Sequence, residues 1–212
     1  TRPQSAALDI SLMSLEDIAN NVRVCTLCSL SKSRTLAVPG EGPVAAELMF
    51  AGEGPGAKED IQGRPFVGSA GKYLDTLLGL IGLKREEVFI VNIVKCRPPG
   101  NRVPSWDERK ACLPYLKAQI KYINPNLICT LGNTALETLT GEKSISRVHG
   151  CLLRKENIQF FPMYHPAAAL HNPALRYTLE SDMHELKNIL DKVVDSSYSS
   201  ETNNTTLDSF LL

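Results

Sequence analysis

The feature that most constrains this chain is a repeated alternation. Short apolar runs end in glycine, proline or polar residues, and stretches with helical spacing of apolar residues lie between them. Ala45 to Gly52, Val88 to Val94 and Asn126 to Leu131 have the length and apolar character of strands buried on both faces. Ile158 to Met163 pairs with Cys151 to Arg154 across Glu156 and Asn157. Leu74, Leu77, Leu78 and Ile81 repeat at helical spacing. Ser105 with Glu108 makes a capping box ahead of a helix to about Ile123, and Asn133 to Leu139 forms a short helix closed by Gly141. Ser14 with Asp17 caps an earlier helix that runs into Cys25, and a last helix spans about Pro173 to Val194. Helix and strand in turn predict a three-layer α/β domain with a mostly parallel sheet.

The chain of 212 residues holds one such domain. Composition turns to Ser, Thr and Asn after Val194, so residues 1–194 are expected to fold and 195–212 to form a flexible tail. No apolar run approaches the roughly 20 residues that span a bilayer, and Thr1 to Ser14 lack the apolar core of an export signal. The expectation is an intracellular protein with no membrane partner. Bases and acids balance at 23 each, but Asp195 to Leu212 hold three acids and no base. Lys95, Arg97, Arg102, Arg109 and Lys110 face only Asp107 and Glu108 in their segment, a mild basic patch.

In a reducing compartment clustered thiols point to metal before disulfide. Cys25 and Cys28 form a C-x-x-C pair, and Cys96 and Cys112 stand in the basic segment. Four thiolates from two regions suit a structural zinc or an iron–sulfur cluster, and spacing does not separate the two. Cys129 lies in an apolar strand and Cys151 starts another, so both are read as structural.

Gly52-Glu53-Gly54-Pro55-Gly56 follows a strand and lets backbone approach a ligand, but it has neither the Walker ending nor the G-x-G-x-x-G spacing of nucleotide sites. Glu53, Glu59 and Asp60 place carboxylates there, able to orient a water, with a solvated surface as the alternative for Glu59 and Asp60. Asn92 lies in an otherwise apolar strand and needs a defined partner. His165 follows a strand directly and, in a parallel sheet, joins the other strand-end groups.

Taken together, GEGPGAKED at Gly52 to Asp60, GRPFVG at Gly63 to Gly68, VNIVKCRPP at Val91 to Pro99, YHPAAAL at Tyr164 to Leu170 and the four cysteines resemble the family 4 uracil-DNA glycosylases. The resemblance covers about Leu15 to Leu190. It implies a three-layer α/β/α sandwich with a central, mostly parallel four-stranded sheet. It also implies a structural four-iron, four-sulfur (4Fe-4S) cluster on Cys25, Cys28, Cys96 and Cys112. The implied activity is a DNA-repair hydrolase that excises uracil from single- or double-stranded DNA without a lyase step, no amine nucleophile being evident at the site.

In that reading the uracil is extruded from the helix. Phe66 stacks on it, Asn92 reads its N3/O4 edge, and Glu59 stands near C5. Gly54 and Ala57 give backbone contacts, His165 donates to the departing O2, Glu53 or Glu59 handles the water, and Leu170 wedges into the vacated stack. At the other end, Asn204 to Leu211 resembles the box that binds a sliding clamp (PCNA), with Leu207, Phe210 and Leu211 as its apolar anchors. The alternative is an iron–sulfur protein of the same superfamily that binds uracil-containing DNA without turnover. Relatives that trap such DNA covalently carry a basic loop with a histidine, and Arg97 to Arg109 contains none.

Overall fold

A computed structural model describes residues 13–197, with side chains to residue 192. Its helices are α1 (Leu15–Val24), α2 (Ala57–Gln62), α3 (Ser69–Leu80), α4 (Trp106–Ile123), α5 (Asn133–Thr140), α6 (Ile145–Val148), α7 (Pro166–His171) and α8 (Ala174–Ser197). Its strands are β1 (Leu48–Gly52), β2 (Phe89–Asn92), β3 (Leu127–Leu131), β4 (Leu153–Lys155) and β5 (Ile158–Met163). They form one sheet in the order β2-β1-β3-β5-β4. The first four of these are mutually parallel, and β4 pairs antiparallel with β5. The four-stranded sheet of the sequence reading is therefore five-stranded, its parallel core extended by one short edge strand from a hairpin.

Alternation along each strand sends side chains into two apolar layers. Met49, Ala51, Phe89, Val91, Ile128 and Phe160 pack with α1, α4 and α5. Leu48, Phe50, Ile90, Leu127, Cys129, Phe161 and Met163 pack with α3 and α8. Cys129 is thus a core residue, whereas Cys151 is exposed and adds nothing to either layer.

The caps set several helix starts. Ser14 and Asp17 exchange hydrogen bonds at α1, and Ser105 and Glu108 do so at α4. Glu108 carries more: Arg102 donates to both its oxygens at 2.8 and 2.7 Å, and Ser29 donates at 2.9 Å, so its carboxyl is held down at about 2, chiefly by Arg102. Several elements differ from the sequence reading. Ala57–Gln62 is a helix inside the expected loop, and β2 stops at Asn92. β4 begins at Leu153, and α8 begins at Ala174 and continues to Ser197, past the expected start of the tail. Leu207, Phe210 and Leu211 lie outside the described residues. Among the described residues no helix is long and apolar enough to cross a membrane.

Candidate active site

The four parallel strands end at one edge of the sheet, where open α/β folds hold ligands. Glu53 and Gly54 leave β1, Asn92 closes β2, Gly132 and Thr134 follow β3, and His165 follows β5. All of them line a single cavity of about 510 Å³, with Phe66, from the turn between α2 and α3, as a further wall. Asn92 is 2% exposed and its Oδ1 has no hydrogen-bond partner. A buried carboxamide oxygen left unpaired costs on the order of 1–3 kcal/mol, so a ligand that satisfies it gains by entering. Gly52 makes the arrangement possible, since a Cβ there would stand 2.5 Å from Asn92 Oδ1 and 2.6 Å from Phe66 Cζ.

Phe66 is held in a left-handed conformation, φ 50°, which strains a non-glycine residue. The surroundings enforce it. Arg85 donates through Nη1 to the Phe66 carbonyl at 3.0 Å and through Nη2 to that of Pro65, and its Nε binds Glu41 at 2.8 Å. Glu41 also takes two bonds from Arg64, and these contacts keep its carboxyl below the usual range against the cost of burial. Gly71 passes so near that a Cβ would fall 1.7 Å from the Phe66 oxygen.

His165 caps α7, its Nδ1 accepting from the Ala167 N–H at 3.1 Å. Burial pushes its pKa down to about 4, against the opposing pull of Glu59. The ring is therefore neutral at neutral pH, and with Nδ1 occupied as an acceptor its proton sits on Nε2. Its ring stacks on Phe66 with centroids 5.5 Å apart.

The carboxylates divide. Glu53 Oε2 accepts from the Thr134 hydroxyl at 2.5 Å. Glu59 Oε1 accepts from the N–H groups of Val67 and Gly68 at 2.9 and 2.7 Å, so this acid organises the Phe66 turn as well as lining the cavity. Asp60 is buried and caps the Thr35 N–H at 2.9 Å, away from the cavity lining. Ala57 is exposed at the start of α2, next to cavity-lining Gly56, and its own side chain does not line the cavity. Leu170 is 40% exposed on α7, one turn beyond cavity-lining Ala167.

Cys25, Cys28, Cys96 and Cys112 line one small second cavity between α1, α4 and the chain after β2. Arg34 donates to Cys96 Sγ at 3.0 Å and the Lys95 N–H to Cys112 Sγ at 3.2 Å. Burial pushes both thiols up, Cys112 to about 12, so their use as ligands requires a metal to displace the proton. Among the described residues no three His, Cys, Asp or Glu side chains converge as the ligands of one ion would. Four cysteine thiols facing one cavity are a soft donor set of the kind that zinc or an iron–sulfur cluster takes.

Lys95 corrects the sequence reading, because it is 1% exposed and no part of a surface patch. Its Nζ donates to the Asn92 carbonyl at 3.0 Å and to Gln119 Oε1 at 2.7 Å. Lys95, Arg85 and Thr134 were not visible as site residues in the sequence. For Thr134 the signal existed, since the strand-end argument applied to β1, β2 and β5 holds equally for β3.

Comparison with known proteins adds a family. The model of the uracil DNA glycosylase superfamily matches residues 39–190. A type-4 uracil-DNA glycosylase from Saccharolobus solfataricus is 50% identical over 186 residues, 83% of this chain and 86% of that one. Those of Sulfurisphaera tokodaii and Archaeoglobus fulgidus are 48% and 42% identical, covering 83% and 84% of this chain and 84% and 94% of their own.

The state of His165 is open to direct measurement. Long-range ¹H–¹⁵N NMR is expected to show the neutral ring protonated on Nε2 from pH 8 to about pH 5 and titrating near 4; a doubly protonated ring at about pH 6 contradicts this.

Proposed function

The chain belongs to the type-4 branch of the uracil DNA glycosylase superfamily, and we propose on that premise that it excises uracil from DNA by hydrolysing the N-glycosidic bond. The biological role is repair of deaminated cytosine, and the protein works inside the cell with its DNA. The observation that carries the reading is a buried, unpartnered Asn92 side-chain oxygen in the same cavity as a histidine whose Nδ1 accepts a backbone N–H, leaving Nε2 to face a ligand as donor.

A base stacked in a duplex is out of reach, so it is extruded, at a cost of a few kcal/mol that is least for a mismatched pair. The flipped uracil stacks against Phe66. Asn92 Oδ1 accepts from its N3–H while Nδ2 donates to O4. Cytosine offers an acceptor at N3 and a donor at N4, so it meets the amide with the wrong pattern. Glu59 walls the C5 side, where thymine carries its methyl, and Gly54 lends backbone. Ala57 adds a backbone contact from the start of α2.

As the bond to the sugar breaks, negative charge collects on uracil O2, and the Nε2–H of His165 donates to it. A neutral imidazole is suited to this, for it stabilises the anion through a preorganised hydrogen bond in a site shielded from water. Glu53, steadied by Thr134, positions the water that meets the sugar carbon. The reaction is hydrolysis without a lyase step. Leu170 fills the vacated stack.

Cys25, Cys28, Cys96 and Cys112 hold a 4Fe-4S cluster that ties α1 to the segment after β2. When bound it supplies a structural cross-link, and the excision chemistry is carried by other side chains. The cluster is preferred to zinc because the type-4 resemblance implies it, and the four thiols face one cavity as its ligands would. The test is elemental: about four iron and four sulfide per chain are expected, and zinc with no sulfide overturns the assignment.

Excision is tested on an oligonucleotide with one uracil opposite guanine. Strand scission after alkali and not before is the expected result. His165→Ala lowers kcat about 10²- to 10³-fold with DNA binding retained, and Asn92→Asp loses uracil excision or admits cytosine. No scission by iron-loaded protein supports a binding module instead.

The terminal Leu207, Phe210 and Leu211 engage a sliding clamp. Deleting residues 207–212 abolishes clamp pull-down and leaves excision intact, whereas retained pull-down removes this part of the proposal.

A further inference from the structure

Trp106, the chain's single tryptophan, is 56% exposed at the first position of α4. An indole so placed buries little area of its own. It is nevertheless fixed. Arg109 lies beneath its ring, Cζ 5.1 Å from the centroid, and is itself 11% exposed. Arg109 Nη1 donates to Glu137 Oε2 at 2.8 Å and Thr138 Oγ1 at 3.0 Å. The Thr138 hydroxyl donates in turn to the carbonyl of Thr134, which lines the active cavity.

A second connection reaches the same mouth along the chain. Val103, three residues before Trp106, lines the cavity and is 62% exposed. Trp106 therefore stands between two elements that form the cavity rim, one face held over a cation. Of the two acids in the first turn of α4, Glu108 is taken up by Arg102, while Asp107 is exposed and leaves the attraction of a polyanion to Arg102 and Arg109.

We propose that Trp106 is a stacking platform for a nucleobase flanking the extruded uracil, on the single-stranded stretch of DNA that crosses the cavity mouth. The proposal rests on the glycosylase reading for the identity of the strand. Aromatic faces bind every base alike, so the platform adds affinity without sequence preference, and a guanidinium behind the ring reinforces it. A base already unpaired reaches the platform without opening a duplex, so the contact favours single-stranded substrate.

The single tryptophan makes the test direct. The full-length, iron-loaded protein is titrated with uracil-free oligodeoxythymidylate while tryptophan emission is followed, with anisotropy of a labelled strand reporting binding independently. Saturable quenching is expected. Trp106→Ala should raise KM on single-stranded uracil substrate about tenfold with kcat changed less than about twofold, and Trp106→Phe should fall between.

Emission unchanged at saturating oligonucleotide, or an unaltered KM in Trp106→Ala, overturns the proposal. If the alanine variant does not fold, the titration of the parent protein and the phenylalanine variant decide. Quenching without uracil excision would leave the platform standing and remove the glycosylase reading. Excision without quenching would remove the platform alone.

Discussion

The placement of β1 between β2 and β3 governs everything at the sheet's edge. Gly52 pairs with Asn92, Ala51 with Thr130, and Leu131 with Met163, so the chain leaving each parallel strand does so at one level. Because both faces are buried, a slip by one residue would exchange the layer that holds Met49 and Ala51 for the one that holds Leu48 and Phe50. Two cores must then be mispacked at once. The register is thus set largely by core residues such as Leu48, Met49 and Phe50 that do not line the cavity, and Glu53, Asn92 and His165 inherit their positions from it.

That inheritance permits polar groups to be left unsatisfied where a ligand needs them. Asn92 keeps an unpaired side-chain oxygen, while its main-chain carbonyl is held by Lys95. Lys95 also binds Gln119, whose Nε2 donates to the Pro39 carbonyl at 2.7 Å. The same lysine's N–H points at Cys112 Sγ. The backbone beneath the Asn92 amide is therefore bonded into the wall of the thiol cavity, and the two sites share a foundation without sharing a side chain.

The strand–helix alternation, both capping boxes and the convergence of Glu53, Asn92 and His165 were legible because they are local or follow from parallel pairing. The four cysteines were legible as a set because Cys25 and Cys28 make a C-x-x-C pair and Cys96 and Cys112 share one short segment. Lys95 was misread because charge patterning treats a lysine as solvated, whereas here the backbone and Gln119 supply acceptors from segments distant in the chain. Arg85 was invisible for a similar reason: its role is to hold two carbonyls about twenty residues earlier, and nothing in its neighbours announces that. The left-handed Phe66 had no signal either, since a phenylalanine is not the residue that usually marks such a conformation. The glycine that accommodates it, Gly71, is hidden inside an ordinary helix.

Glu41 has a double attachment. Its backbone bridges Ile90 through two hydrogen bonds on the outer side of β2, at 3.0 and 2.8 Å, while its carboxylate holds Arg64 and Arg85. At the opposite margin β4 is three residues long and carries Arg154 and Lys155 in exposed positions. Both borders of the sheet are thereby blunted against strand addition from a second molecule. On the β2 side, however, the residue that seals the border also secures the turn carrying Phe66. Opening at Glu41 would therefore expose the outer edge of β2 and release a support of the Phe66 turn together, because one residue makes both contacts.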